Sequence, residues 1–170
     1  FGVNSKEIED TYIRLDKDLE RFFAALDKKV GKGQYVVFLT ADHGAIDVPS
    51  YLQSAKIPAG YLDNDARKTL FQKFLIDKYG TTDIVEGISN NQIFLNRDMI
   101  KALDLDLDDV QEDIVNEQIN YEHVSKGYTA ITMASVDFTE GIEALLQKGY
   151  NQKRSGDIIL VNDPAYISYG

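Results

Sequence analysis

Residues 35–44 read Tyr35-Val36-Val37-Phe38-Leu39-Thr40-Ala41-Asp42-His43-Gly44. Five of the first six are β-branched or aromatic and the sixth is Leu39, with almost no polar alternation, a composition that predicts a strand buried on both faces. Upstream, Ile8, Tyr12, Leu15, Leu19, Phe22, Phe23, Leu26 and Val30 recur at steps of three and four. That spacing lays one apolar stripe along a long helix. Asn4 with Glu7 three residues on is the expected cap, and Gly31 and Gly33 the expected stop. A helix followed by a fully buried strand predicts an α/β fold, with helices covering a parallel or mixed sheet.

Downstream, residues 45–62 lack periodicity and carry Pro49 and Pro58, which predicts an extended surface connection. Asp63 is placed to cap a helix marked by Ala66, Leu70, Phe74 and Leu75 and ending at Tyr79-Gly80. The texture then changes. Short strands are expected over 84–88 and 92–95 around a turn at Ser89-Asn90-Asn91, a helix through Leu107, Val110, Ile114 and Ile119, and a strand over 127–133. A short helix over 142–146 and a buried strand over 157–161 complete the pattern. Residues 81–154 thus read as a small α+β insertion, with 1–80 and 155–170 as the α/β core.

Composition limits the partners. The 170 residues carry 18 − 28 = −10 formal charges, and 44% are hydrophobic, enough for one folded domain with a sizeable core. The acidic balance, with an isoelectric point near 4.6, argues against nucleic acid as a partner. The absence of cysteine excludes disulfides, thiolate catalysis and Cys-ligated zinc. No apolar run approaches the roughly 18 residues of a membrane span. No starting Met or signal peptide is evident, as a processed or excised segment would also show.

The chemistry sits where the expected strand ends. In open α/β sheets, loops at the carboxyl ends of strands converge on ligands while the strands hold them in place. Asp42 and His43 there pair a hard carboxylate oxygen with a borderline imidazole nitrogen, a donor set that suits zinc. Gly44 allows the backbone to turn sharply beside an ion. A two-residue pair also fits a plainer role, in which Asp42 caps a turn and His43 packs.

The Thr40-Ala41-Asp42-His43-Gly44 segment resembles the strand-end motif of the alkaline phosphatase superfamily, on the side of the bacterial threonine-nucleophile phosphatases and the nucleotide pyrophosphatase/phosphodiesterases. Three further stretches share the likeness: Phe1-Gly2-Val3-Asn4-Ser5 running into Glu9-Asp10-Thr11-Tyr12 and Arg14-Leu15-Asp16, then Lys56-Ile57-Pro58-Ala59-Gly60-Tyr61, then Gly149-Tyr150-Asn151-Gln152-Lys153-Arg154-Ser155-Gly156-Asp157. The resemblance implies a partial alkaline-phosphatase-like core of helices on a mixed sheet. It implies two zinc ions in the parent enzyme, with Asp42 and His43 as ligands of the one that activates a hydroxyl nucleophile. Two such cations can stabilise both the attacking and the leaving oxygen of an in-line phosphoryl displacement.

The family's nucleophilic Thr, its phosphate-contacting residues and its other metal ligands match no position here, so no catalytic residue is assigned and two of six metal ligands are. The expectation is an internal portion of a larger phosphatase, inactive when isolated and prone to self-association through apolar surface beside residues 35–39. The resemblance further implies phosphate-ester small molecules as substrates, a phosphothreonine intermediate, and a periplasmic or secreted location. Phosphodiester or nucleotide pyrophosphate hydrolysis on the same metals is the first alternative. A noncatalytic binding module on the same scaffold is the second.

Other residues invite chemistry and have plainer readings. His123 stands far from Asp42 in sequence and reads as structural or exposed. Asp104, Asp106, Asp108 and Asp109 suggest a calcium loop, but that loop needs Gly at its sixth position and Glu at its twelfth, where this chain has Asp109 and Val115. A solvated helix N-terminus suits them better. Lys153 and Arg154 could meet a phosphate and more simply rim a loop, while Ser155-Gly156-Asp157 leads into the final strand. Ten dispersed tyrosines do not make a nucleic-acid platform.

Overall fold

The computed structural model describes residues 2–168, so Phe1 of the first matching stretch and Tyr169 and Gly170 of the expected core lie outside it. The chain separates into two units, residues 1–60 and 61–170.

In the first unit, α1 spans Lys6–Lys29. Its cap is Ser5, whose hydroxyl accepts from the Ile8 N–H; Asn4 instead donates to Asp47 Oδ1 at 2.8 Å. Glu7 and Glu9 in the first turn and Lys28 and Lys29 in the last complement the helix dipole. The expected stripe is present, yet no residue of α1 is buried. Tyr35 folds back on the helix through a 2.8 Å bond from its hydroxyl to Asp27 Oδ1.

The strand expected over 35–40 does not form. Val36, Phe38 and Leu39 are 79%, 89% and 80% exposed rather than buried on both faces. The reason is that strand propensity describes a fit to a sheet. A helix satisfies its own amides, whereas a strand takes shape only against a neighbour, and none of the described strands pairs with this segment. The connection expected to be extended contains α2, Pro49–Ser54, where Pro49 at the first position brings a φ already suited to a helix.

The second unit holds the core. Here α3 spans Asn64–Tyr79, begun by Asp63 accepting from the Ala66 N–H at 2.9 Å and ended by Gly80 at φ +76°. A sheet of four antiparallel strands follows, in the order β2 (Val85–Ser89), β3 (Gln92–Leu95), β5 (Ile158–Asn162) and β4 (Val124–Thr129). The β2–β3 hairpin turns on Asn90 and Asn91 at φ +50° and +58°. Both central residues in the left-handed region match a type I′ turn, whose twist suits a hairpin. A two-stranded pair links β1 (Gly60–Tyr61) and β6 (Tyr166–Ile167).

Helices α4 (Arg97–Ala102), α5 (Leu107–Gln118), α6 (Ala130–Ser135) and α7 (Gly141–Gly149) complete the described elements. Phe71 and Leu75 from α3, Ile93 and Leu95 from β3, Ile114 from α5, and Ile158 and Leu160 from β5 form one cluster. Each such side chain contributes about 1.5–3 kcal/mol on burial. Helices and sheet share that cluster, as the α/β expectation had it, but the parallel or mixed sheet is corrected: each pairing in the four-stranded sheet is antiparallel. The strand expected over 127–133 is corrected: β4 ends at Thr129, whose hydroxyl accepts from the Thr132 N–H at 3.1 Å and starts α6. Among the described residues, no helix is long and apolar enough to cross a membrane.

Candidate functional site

Asp42 and His43 lie in the irregular segment of the first unit, 87% and 79% exposed at their side chains. Asp42 Oδ1 accepts the His43 N–H at 2.9 Å. The His43 ring places Nδ1 2.8 Å from the Gly44 carbonyl oxygen. A carbonyl only accepts, so Nδ1 is the donor in this contact and Nε2 is the ring nitrogen left facing away from the backbone. That Nε2 lies 3.5 Å from Asp42 Oδ2.

These contacts suit a zinc ligand pair. With Zn–N and Zn–O bonds of about 2.0–2.2 Å, two tetrahedral ligands sit roughly 3.3–3.5 Å apart. The backbone carbonyl on the second imidazole nitrogen is the partner that metal-ligating histidines usually have. Among the described residues no group of three or more His, Cys, Asp or Glu side chains could hold an ion.

The other sequence candidates fall elsewhere. His123 sits at φ +63°, its ring stacked on Tyr166 with centroids 3.5 Å apart and its Nδ1 3.3 Å from Asp163 Oδ2. Glu122 Oε1 lies 3.3 Å from its Nε2. Asp106 caps α5 by accepting from the Asp108 and Asp109 N–H groups, the helix start that the failed calcium loop suggested. Asp157 is buried, with Oδ2 accepting from the Leu95 N–H at 2.8 Å and Oδ1 2.6 Å from Arg97 Nη2. Gly156 is held by its N–H on Gln92 Oε1 at 2.8 Å. Lys153 and Arg154 line a groove of about 620 Å³ beside this pair, together with Glu86 and Asp98.

Sequence reading passed over two polar centres. Glu143 receives Lys126 Nζ and, at 2.6 Å, the Tyr128 hydroxyl. The Lys126 bond first and the Tyr128 bond second hold its carboxyl at about 2, below the ordinary 4.5. Arg67, in the first turns of α3, gives both Nη1 and Nη2 to Asn162 Oδ1 at 3.3 Å. Neither centre follows a spacing rule, because helix-to-strand contacts, α7 with β4 and α3 with β5, bring the partners together.

The family model for type I phosphodiesterase / nucleotide pyrophosphatase matches residues 1–170. The chain belongs to the type I phosphodiesterase / nucleotide pyrophosphatase family. Within it, alkaline phosphatase PafA of Elizabethkingia meningoseptica is 40% identical over 168 residues, which are 99% of this chain and 31% of that protein. Alkaline phosphatase PhoV of Synechococcus elongatus is 38% identical over 170 residues, 98% of this chain and 30% of that protein. A Myroides odoratus protein named a calcium-transporting ATPase is 38% identical over 169 residues, 99% of this chain and 31% of its own length. The crystal structure of wild-type PafA superposes with a TM-score of 0.83 at 39% identity, covering 99% of this chain and 32% of that one. This member of the family thus spans about a third of the length of the curated relatives it matches. The alkaline phosphatase superfamily expected from Thr40 to Gly44 is the one found.

Proposed function

We propose that this chain supplies one ligand pair, Asp42 and His43, to the two-zinc centre of a phosphomonoesterase whose nucleophilic threonine, source of a phosphothreonine intermediate, is not among these residues. The observation that carries the reading is the 3.5 Å approach of Asp42 Oδ2 to His43 Nε2, with Nδ1 tied to the Gly44 carbonyl. Asp42 Oδ1 is held by the His43 N–H, which turns Oδ2 outward. The Gly44 carbonyl takes the Nδ1 side of the ring, which leaves Nε2 as the nitrogen that would meet the metal. When bound, zinc supplies Lewis-acid stabilisation of charge building on a phosphoryl oxygen and lowers the pKa of a hydroxyl beside it. In this reading residues 1–80 and 155–170 belong to the phosphatase core and 81–154 to an insertion. The isolated chain is inactive, and the full-length enzyme is exported.

Two of the relatives are named alkaline phosphatases, which favours monoesters. The family description favours a second reading, hydrolysis of phosphodiesters or nucleotide pyrophosphates with the same ligands. Steady-state rates of the full-length enzyme on an aryl phosphate and on a bis-aryl phosphodiester separate the two. In that enzyme Asp42→Ala and His43→Ala are expected to lower zinc affinity by more than the roughly 10–100-fold seen for outer-shell changes. Unchanged zinc content and unchanged rate in both variants would overturn the ligand assignment.

A further inference from the structure

Half-buried charges are expected to be paired, because removing them from water costs several kcal/mol unless an opposite charge compensates. Arg67 departs from this rule. Its guanidinium is half-buried, and among the described residues its side-chain hydrogen bonds are two long ones from Nη1 and Nη2 to the neutral Asn162 Oδ1. Burial pulls its pKa below the ordinary 12.5, with the Tyr121 phenol opposing the shift. Three of the five guanidinium donors have no such partner. The Tyr121 phenol that feels this charge is itself buried, with Glu117 beside its hydroxyl.

Arg67 opens on a groove of about 760 Å³. Phe71, Leu75 and Leu160 give it an apolar floor, and Lys68, Asn91 and Gln118 are among its polar walls. An apolar concavity of this size with a few convergent polar groups is the usual form of a small-molecule site. Asn162 is fixed in turn by its Nδ2 on Asn91 Oδ1 at 3.2 Å, so the acceptor facing the guanidinium is anchored to the β2–β3 turn.

We propose that this groove binds a small oxyanion, a phosphate or carboxylate group, with Arg67 as its fork-shaped anchor and Lys68 as a second cation. A guanidinium matches such groups in a bidentate way that a lysine cannot. The site lies wholly within the second unit and is independent of the Asp42–His43 reading.

The test is titration of the isotope-labelled 170-residue chain with inorganic phosphate and, separately, with acetate, in the presence of a metal chelator. Saturable movement of the Arg67 Nε–H and the Asn162 and Asn91 side-chain amide resonances is expected, and the tighter of the two probes names the group. Arg67→Gln is expected to weaken binding about tenfold or more, and Arg67→Lys by a smaller factor. Asn162→Asp, which places a carboxylate against the guanidinium, is expected to weaken it as well and decides the matter if Arg67→Gln does not fold. No saturable shift with either probe, or affinity unchanged in the folded variants, overturns the proposal.

Discussion

Arg97 and Asp157, 60 positions apart, meet across the β3–β5 region with Nη2 2.6 Å from Oδ1, and the same buried carboxylate accepts the Leu95 N–H through Oδ2. The two ends of the pair differ in environment, since the Arg97 side chain is 62% exposed and that of Asp157 is 8% exposed. Asp157→Ala orphans a buried amide and is expected to cost roughly 2 kcal/mol. Arg97→Ala removes a solvent-screened partner and is expected to cost about 1 kcal/mol or less. Urea unfolding of both variants checks the order, and equal losses would contradict it.

Space and backbone angle can be separated at two glycines. A Cβ on Gly156 would lie 2.8 Å from the Ile93 carbonyl oxygen and 2.9 Å from Gln92 Cβ, so Gly156→Ala must push the strands apart. A loss of roughly 1–3 kcal/mol is expected. At Gly80 a Cβ meets open space, but φ is +76°, so Gly80→Ala is expected to cost about 1 kcal/mol from backbone strain alone. Paired melting curves distinguish the two origins, because further enlargement to Leu, which adds volume without branching at Cβ, should worsen position 156 much more than position 80.

Glu143 gives the fold an acid-sensitive contact. Its carboxyl, held by Lys126 and Tyr128, titrates at about 2 when folded against an ordinary 4.5. A depressed folded value means that the contribution is fully present above the unfolded pKa and disappears as pH falls through the folded one. The stability gap between the unmodified chain and Glu143→Gln should therefore be constant above about pH 5 and close between there and about pH 2. A gap that does not change with pH would remove the ionic origin.

Asp42 and His43 are expected to be dispensable for stability. Both side chains are exposed, so Asp42→Asn and His43→Ala should move unfolding by no more than about 0.5 kcal/mol. Zinc binding followed by calorimetry should fall in the same variants. A large stability loss would instead mark them as structural.

Val36, Phe38 and Leu39 offer an uncovered apolar run with no strand partner among the described residues. Such runs associate. Light scattering of the chain is expected to show oligomers, and Phe38→Asp with Leu39→Asp to shift the population to monomer. A monomeric unmodified chain would refute this.

What could be read in the sequence was whatever a few neighbouring residues determine. Asp63 and Gly80 bound α3 because caps are local, and Asn90-Asn91 marked the hairpin because left-handed backbone is. α4 escaped notice since it is six residues long and depends on Asn96 accepting from the Met99 N–H. Residues 35–40 misled because their apolar character was read as a finished strand, when it is only readiness for one. At the candidate site, residue type and adjacency pointed to Asp42 and His43, whereas Arg67 and Asn162 stand 95 positions apart and only the fold brings them together.

The strand order places β5 between β3 and β4, although it is made long after either. During synthesis, then, residues 85–129 emerge from the ribosome with the middle of their sheet still missing. Cotranslational assembly of this unit has to wait for Ile158–Asn162, and a nascent chain stalled earlier would show chaperones two open strand edges.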